Sequence, residues 1–269
     1  MRAAFSKAEI ESEITSRFGS AFTQQEKKPA EVISSGLVEV DSFTGGLPRG
    51  AITEVFGPAS SGRTSFMLAT LGHATNHDEV CALVDTSNGF DPKSATRAEI
   101  NCERLLWIRC ANNLEHAFKA TDLLLQGGGF GLVLLDLADV PAKSVRRIIS
   151  SWWYRFRRTL EATPTSLVVI AEDSCVRSCA TLALELSGET YLWSAAGEVK
   201  TGDPIASYHN TRAAISSIQT PPVRQLHRPV KERPLPHANL LQGLNFQMEC
   251  RRPLYLNTRE QEVLVQVAH

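Results

Sequence analysis

The sequence predicts an α/β domain, built as a mainly parallel β-sheet with helices on both faces. Nearly unbroken apolar runs, for example at 80–85 and 132–136, each end in an aspartate. Segments of helical periodicity, such as residues 112–126, separate these runs. A glycine-bounded loop at residues 57–65 joins one such run to a further helical segment. Continuous apolar strands that alternate with helices are typical of a parallel sheet covered on both faces.

Three segments are predicted in chain order. Residues 1–30 form an N-terminal helix, with Ile10, Ile14 and Phe18 on one face, followed by a polar linker. Residues 31–200 form the α/β core, and residues 201–269 form a C-terminal extension. Within the core, strands are predicted at 52–56, 80–85, 105–108, 132–136 and 167–171, and helices at 66–71, 112–126 and 141–162.

The composition is that of one main globular domain with extensions. The 269 residues carry a formal net charge of −1, so no overall positive field favours nucleic acid. No apolar run approaches the roughly 20 residues of a membrane span, and the first residues lack a secretory pattern. The six cysteines lack the paired spacing of a metal site and are expected to be apolar fillers in a reducing compartment. We therefore expect a cytoplasmic protein without a membrane segment.

The loop at residues 57–65 has the spacing G-x4-G-x-[ST] of a phosphate-binding loop, with Arg63 in place of the usual lysine. Its two glycines allow the backbone to curl so that amide groups point inward, and the next helix adds free N–H groups. Arginine keeps the positive charge, but its broad fork does not replace an ammonium group atom for atom. The alternative is a plain helix N-terminus with a serine- and glycine-rich entry turn. The candidate nucleotide-binding residues are Gly57, Ser60, Ser61, Gly62, Arg63, Thr64 and Ser65.

Asp136 ends an apolar strand, as the acid of a second P-loop signature does. If a nucleotide such as ATP binds, we predict that Asp136 holds Mg²⁺ through water, opposite the hydroxyl of Thr64. The alternative is that Asp136 only caps its strand, because four apolar residues followed by an acid are a common string.

The predicted helix 141–162 combines arginines with aromatic residues, a composition found in platforms for single-stranded nucleic acid. However, Val145, Trp152, Phe156 and Leu160 recur at helical spacing and are expected in the core. The arginines would then form a solvated or partner-facing stripe, which is the more common outcome. The candidate DNA or partner contacts are Arg146, Arg147, Arg155 and Arg158 here, and Arg224, Arg228, Lys231 and Arg233 in the extension.

The C-terminal extension has two parts with different patterns. Residues 220–236 are rich in proline and basic residues, which is typical of an exposed arm. Residues 240–267 regain an alternating pattern. This pattern predicts an edge hairpin, a flap packed on the domain itself, or a strand added to a partner protein.

Residues 35–193 resemble the RecA superfamily. The resemblance is carried by the turn GGLPRG at 45–50, the segment EVFGPASSGRTS at 54–65, and the stretch from Asp85 to Asp91 and Pro92. Within the superfamily, the chain is most similar to the ImuA family, the RecA-related accessory proteins of inducible mutagenesis. The resemblance implies a RecA-like P-loop fold with ATP and Mg²⁺ as cofactors.

The chain departs from the family pattern at three positions. Besides Arg63, Ser87 stands where the family places the glutamate that activates water, and Glu172 where it places the glutamine that senses the γ-phosphate. Serine without a nearby histidine is no general base at neutral pH, and a carboxylate repels phosphate. We therefore predict feeble or absent hydrolysis. Residues 137–140 and 173–178 are also too short for the DNA-binding loops of recombinases, which argues against a filament on single-stranded DNA.

The resemblance implies a non-catalytic adaptor or regulator in the SOS response to DNA damage and in error-prone translesion synthesis. Its expected partners are a Y-family-like polymerase subunit of the ImuB type and an error-prone replicative-type polymerase, or RecA itself, with weak contact to DNA. One alternative is a weak DNA-dependent ATPase in recombinational repair. Another is a regulator of division or signalling that reuses the fold.

Overall fold

The computed structural model describes residues 13, 16, 31–147, 150–195, 198–202, 241–252 and 261–266. The chain divides into two compact units, Met1–Ala30 and Glu31–His269. In the first unit, Glu13 and Ser16 are helical, and the rest of the predicted N-terminal helix and linker lies outside the described residues. The division of the chain at residues 30 and 200 stays a prediction.

Strands of the second unit form one large sheet and one small one. The strands are β1 Val32–Ile33, β2 Leu47–Pro48, β3 Ala51–Phe56, β4 Cys81–Asp85, β5 Leu105–Arg109, β6 Leu132–Leu137, β7 Ser166–Ala171, β8 Leu182–Ala195, β9 Glu198–Gly202, β10 Leu241–Arg252 and β11 Gln261–Gln266. The order in the large sheet is β11-β10-β8-β3-β7-β6-β4-β5, and β9 also pairs with β8. Six neighbouring strands, from β8 to β5, are parallel, whereas β9, β10 and β11 are antiparallel to the strands that they pair with. Strands β1 and β2 form the small antiparallel sheet.

Helices cover both faces of the large sheet. The helices are α1 Val38–Thr44, α2 Arg63–Asn76, α3 Pro92–Arg97, α4 Leu114–Gly127, α5 Ala142–Val145 and α6 Ser150–Leu160, with 3-10 turns at Cys102–Arg104 and Arg177–Cys179. On one side of the sheet, α1 and α2 form an apolar cluster with side chains of the sheet that include those of β10; on the other side, α4 and α6 form a second cluster. This arrangement confirms the predicted α/β class with a mainly parallel sheet.

Strand β3 occupies the centre of the sheet, between β8 and β7, and all six of its residues are buried. Because β3, β4, β6 and β7 are parallel, their carboxyl ends meet at one edge of the sheet. The loops after these four strands therefore lie together. Ligands of open α/β sheets bind at this edge, and the loop at residues 57–65 begins there.

The single predicted helix at 141–162 is wrong. It is divided into α5 and α6, because the Arg147 amide donates to the Ser144 carbonyl oxygen three residues back, which makes a tight turn after α5. Within α6, Trp153 is buried beside Phe156, whereas Trp152, which was expected in the core, is only partly buried.

The C-terminal strands complete the domain's own sheet. Strand β10 runs antiparallel to β8 from the pair Leu241–Trp193 to the pair Arg252–Ala183, and β11 pairs with β10. The predicted edge hairpin is thereby confirmed. Its inward-facing side chains are fully or nearly fully buried in the core that contains α2: Leu244, Phe246, Met248 and Cys250.

No helix within the described part of the chain is long and apolar enough to cross a membrane.

Candidate functional site

The loop at residues 57–65 connects β3 to α2, as the sequence predicts. The Gly57 amide donates to the Glu172 carbonyl oxygen over 3.1 Å, and the Ser61 amide donates to the Pro58 carbonyl oxygen over 3.2 Å. Ser60 (φ 63°) and Gly62 (φ 97°) both take the left-handed conformation, which curls the loop tightly before the helix begins. Gly62 is the N-cap residue of α2.

The start of α2 offers unused hydrogen-bond donors. No side chain of a described residue caps this end, and its first turn contains no acidic residue. Thr64 is exposed and Ser65 is partly exposed, whereas Ser61 is buried and its Oγ has no partner among the described residues. A helix N-terminus of this kind, with free N–H groups and a positive dipole end, suits an anion. These residues therefore fit a bound phosphate group.

Arg63 is turned toward carboxylates and is itself buried. Its Nη1 donates to the Ala138 carbonyl oxygen, in the loop after β6, over 3.4 Å. Burial lowers the pKa of the guanidinium, while the negative charges of Glu172, Asp136 and Asp139 act in the opposite direction. The charge that a P-loop lysine would present to phosphate thus lies in the field of three acids, one near the end of β6 and two in the loops after β6 and β7.

Asp136 lies in β6, opposite Asp85 of β4, at the same edge of the sheet. Its pKa is raised to about 6: burial is the largest cause and the nearby charges of Asp85 and Asp139 add to it, while the hydrogen bond from the Ala138 amide and the charge of Arg63 act in the opposite direction. That hydrogen bond joins the amide to Oδ1 over 2.9 Å. The carboxyl is therefore mostly ionised at neutral pH.

The described residues contain no group of three or more His, Cys, Asp or Glu side chains that could hold a metal ion. Mg²⁺ bound with a nucleotide commonly takes only one or two protein ligands, the rest being phosphate and water oxygens. Thr64, in the first turn of α2, and Asp136, near the end of β6, would be two such protein ligands, and their oxygen atoms lie at the same edge of the sheet. Their predicted metal role stays a prediction.

Asp85, the last residue of β4, has a structural role in the loop that follows. Asp85 is fully buried and accepts hydrogen bonds from the Gly89 and Phe90 amides and from Trp107 Nε1, over 3.0–3.1 Å. Asp85 therefore fixes the loop rather than facing a substrate. Ser87 Oγ is buried without a partner among the described residues, so no described contact activates it.

Two contacts around the loop were not predicted from the sequence. A Cβ on Gly57 would lie 2.1 Å from the Leu186 carbonyl oxygen, and one on Gly62 would lie 2.6 Å from Cδ1 of Phe246. Both positions therefore need glycine, because atoms of β8 and β10 leave no space for a side chain there. The alternation of apolar residues in 240–267 indicated a buried face, but it did not indicate what that face covers.

The predicted basic stripe is partly neutralised within the domain. Arg146 pairs with Asp173 over 2.8 Å, and Arg155 pairs with Asp122 over 2.5 Å while its guanidinium lies over the Trp152 ring. Arg147 and Arg158 are exposed and form no ion pair with a described residue. The arm residues Arg224, Arg228, Lys231 and Arg233 lie outside the described residues.

A glycine-bounded loop between a buried central strand and a helix, on a mainly parallel sheet, defines a P-loop protein of the RecA-like class. The model of the RecA N-terminal domain family matches residues 5–147, which is more than half of the chain. The chain therefore belongs to the RecA N-terminal domain family.

Individual relatives also match parts of the chain. The protein RecA of Rickettsia canadensis (strain McKiel) is 34% identical over 119 residues, which are 43% of this chain and 34% of that protein. The chain thus spans about a third of the curated relative that it matches. The crystal structure of the RadB recombinase aligns with 57% of this chain and 82% of its own, at 19% identity and a TM-score of 0.48.

Proposed function

We propose that this protein serves DNA repair as a RecA-like adaptor that acts by binding other proteins rather than by hydrolysing ATP. The observation that carries the proposal is the position of Arg63, which donates to the Ala138 carbonyl oxygen and is surrounded by the charges of Asp136, Asp139 and Glu172. A phosphate that entered the loop would have to compete with these carboxylates for the guanidinium.

Among the described residues, the position at which the family resemblance places the base that activates water holds no acid. Ser87 occupies the position where the family resemblance places the general base, and Asp85, the nearest acid on that loop, is held by three hydrogen bonds. Glu172 is exposed after β7, where its carboxylate would repel a γ-phosphate. We therefore treat nucleotide binding and nucleotide hydrolysis as separate properties of this site. The residues that differ from the family pattern at positions 87 and 172 affect hydrolysis.

The cellular role that we propose follows the resemblance to the ImuA family. In that role the chain bridges a Y-family-like polymerase subunit of the ImuB type and an error-prone replicative-type polymerase during SOS translesion synthesis, or it modulates RecA. The short connections after β6 and β7, both shorter than a recombinase's DNA-binding loops would need, support a role other than filament formation. An adjacent reading frame for a Y-family-like polymerase would support the assignment further.

ATP turnover with and without single-stranded DNA tests the adaptor role. We expect no turnover above background in the wild type. Arg63→Lys combined with Ser87→Glu should raise nucleotide affinity or turnover, because the pair restores a compact cation and a base. DNA-stimulated turnover by the wild type that Thr64→Ala abolishes would overturn the adaptor proposal.

A weak DNA-dependent ATPase is the second candidate, and the uncapped start of α2 favours it. The unpartnered Ser61 Oγ and the exposed Thr64 leave phosphate and metal contacts open. The same turnover assay separates the two functions. The partners are tested by co-purification with the two polymerase types and with RecA, comparing the full chain with a variant in which residues 220–236 are replaced by a Gly/Ser linker.

A further inference from the structure

Strand β3 carries a charged residue where an apolar one would be expected. Glu54 is fully buried, three residues before Gly57, between two residues, Ile52 and Phe56, that belong to the core beneath α4 and α6. No described residue forms an ion pair with it. A buried carboxylate without a counter-ion is costly unless hydrogen bonds satisfy it.

Glu54 has three such donors, and all of them come from one short segment. Ser174 Oγ donates to Oε2 over 2.9 Å, and the Val176 amide donates to Oε1 over 2.8 Å. The Cys175 amide donates to the same Oε1. Hydrogen bonds to an ionised group are stronger than neutral ones, so this carboxylate binds the segment after β7 firmly to β3.

The same segment is tied to the site at its other residues. The Glu172 carbonyl oxygen accepts from the Gly57 amide, and the Asp173 carboxylate pairs with Arg146 of the turn after α5. Each of residues 172–176 therefore has a described contact to the P-loop strand, the P-loop or the turn after α5. The negative charge of Glu54 also helps to raise the pKa of the Cys175 thiol, after the larger effect of burial.

We propose that Glu54 is a positioning residue that fixes residues 172–176 to the P-loop strand, so that the P-loop and this segment move as one body. Without Glu54 the segment would keep its contacts through Glu172 and Asp173 but would lose the three hydrogen bonds that join residues 174–176 to β3. Its attachment sets where Glu172 stands relative to Gly57. This role is separate from the adaptor function and does not depend on whether a nucleotide binds.

Hydrogen exchange at single backbone amides, resolved by NMR, tests the proposal. Glu54→Leu removes the acceptor and keeps an apolar side chain of similar size, so that the loss falls on the three donors of residues 174–176. We expect the Val176 amide to exchange about tenfold faster or more, and the Gly57 amide to follow, because lost charge-assisted hydrogen bonds shift local opening by at least that factor. The Val168 amide, in the middle of β7, should keep its rate.

Matched variants separate positioning from general stability. Glu54→Gln keeps an acceptor oxygen and should give an intermediate rate at Val176, and Glu103→Gln, at an exposed position, should change nothing. Ser174→Ala removes a single donor and gives a smaller effect, which keeps the test available if Glu54→Leu does not fold. An unchanged Val176 rate, an unchanged Gly57 rate, or an equal rise at Val168 would each overturn the proposal.

Discussion

The ring of Phe246 lies against the Cα atom of Gly62, so that a Cβ built on this glycine would come within 2.6 Å of Cδ1 and 3.0 Å of Cγ. Phe246 belongs to β10, far along the chain from the P-loop, and it is fully buried in the core shared with α2. The shape of the P-loop is therefore supported by the C-terminal hairpin. This relationship makes the loop sensitive to changes outside the region matched by the family model.

We expect Phe246→Ala to lower the free energy of unfolding by about 3–5 kcal/mol, because it removes a buried ring and leaves a cavity beneath the loop. Urea denaturation followed by circular dichroism measures the change. Leu123→Ala serves as the control, since Leu123 is 70% exposed and its loss should cost less than about 0.5 kcal/mol. A loss at Phe246 no larger than the control would contradict the packing described here.

Gly62→Ala should destabilise the protein for two separate reasons. The left-handed backbone, with φ 97°, disfavours a side chain, and the new methyl group would overlap the ring of Phe246. In the double variant with Phe246→Ala the overlap is gone and only the backbone cost remains. We therefore expect the double variant to lose less stability than the sum of the two single losses, by about 1 kcal/mol or more. Strict additivity would show that the ring and the glycine do not interact.

Asp136 should make stability depend on pH. Its folded pKa of about 6 lies above the usual 3.8, so from about pH 4 to 6 the folded chain keeps a proton that the unfolded chain has lost. The free energy of unfolding contributed by this group therefore falls as the pH rises through that window. Asp136→Asn removes this pH dependence. The free energy of unfolding of the variant, relative to that of the wild type, should therefore increase by about 2–3 kcal/mol when the pH is raised from 4 to 7.

Urea titrations at each pH measure the difference between Asp136→Asn and the wild type. Glu103→Gln, at an exposed position, controls for the loss of a carboxylate. A difference that stays constant across the pH range would mean that Asp136 is not shielded from water as the structure has it.

Truncation at residue 220 and replacement of residues 220–236 should have opposite outcomes. Truncation removes β10 and β11, and with them four buried side chains of the core that contains α2. Replacement by a Gly/Ser linker leaves both strands in the chain. We expect the truncated chain to be insoluble or unfolded by circular dichroism, and the linker variant to keep its melting temperature within about 2 °C. A folded truncation product would show that the hairpin is dispensable.

The sequence predicted those parts of the molecule whose signal is local. Strands β4, β6 and β7 are nearly continuous apolar runs, and the spacing of Gly57 and Gly62 defines the loop by itself. Whether Arg63 faces a ligand or the domain's own acids depends on loops after other strands, which no local pattern reveals. For the same reason the sequence did not reveal that Phe246 contacts the P-loop or that Glu54 binds the segment after β7.

The division of helix 141–162 illustrates a different limit. Periodicity across residues 145–160 fits an unbroken helix, whereas the chain forms α5, a tight turn at Arg147 and then α6, in which Trp153 rather than Trp152 is buried. Turn formation there involves no glycine or proline, so no breaker marks it in the sequence. A pair of adjacent tryptophans then leaves the choice of the core residue to the tertiary structure.

The segment that contains α5 and α6 concentrates positive charge, although Arg146, Arg155 and Arg157 each pair with an acid. Residues 142–160 carry six lysines and arginines and no acid, so the remainder of a chain with net charge −1 carries −7. Such a molecule should adhere to both cation and anion exchangers at low ionic strength, in spite of its nearly neutral total. Two copies can also attract each other through unlike surfaces, and about 0.15 M salt, with a Debye length of about 8 Å, should suppress this association. Light scattering across a salt series would therefore give falling apparent mass as the salt concentration rises.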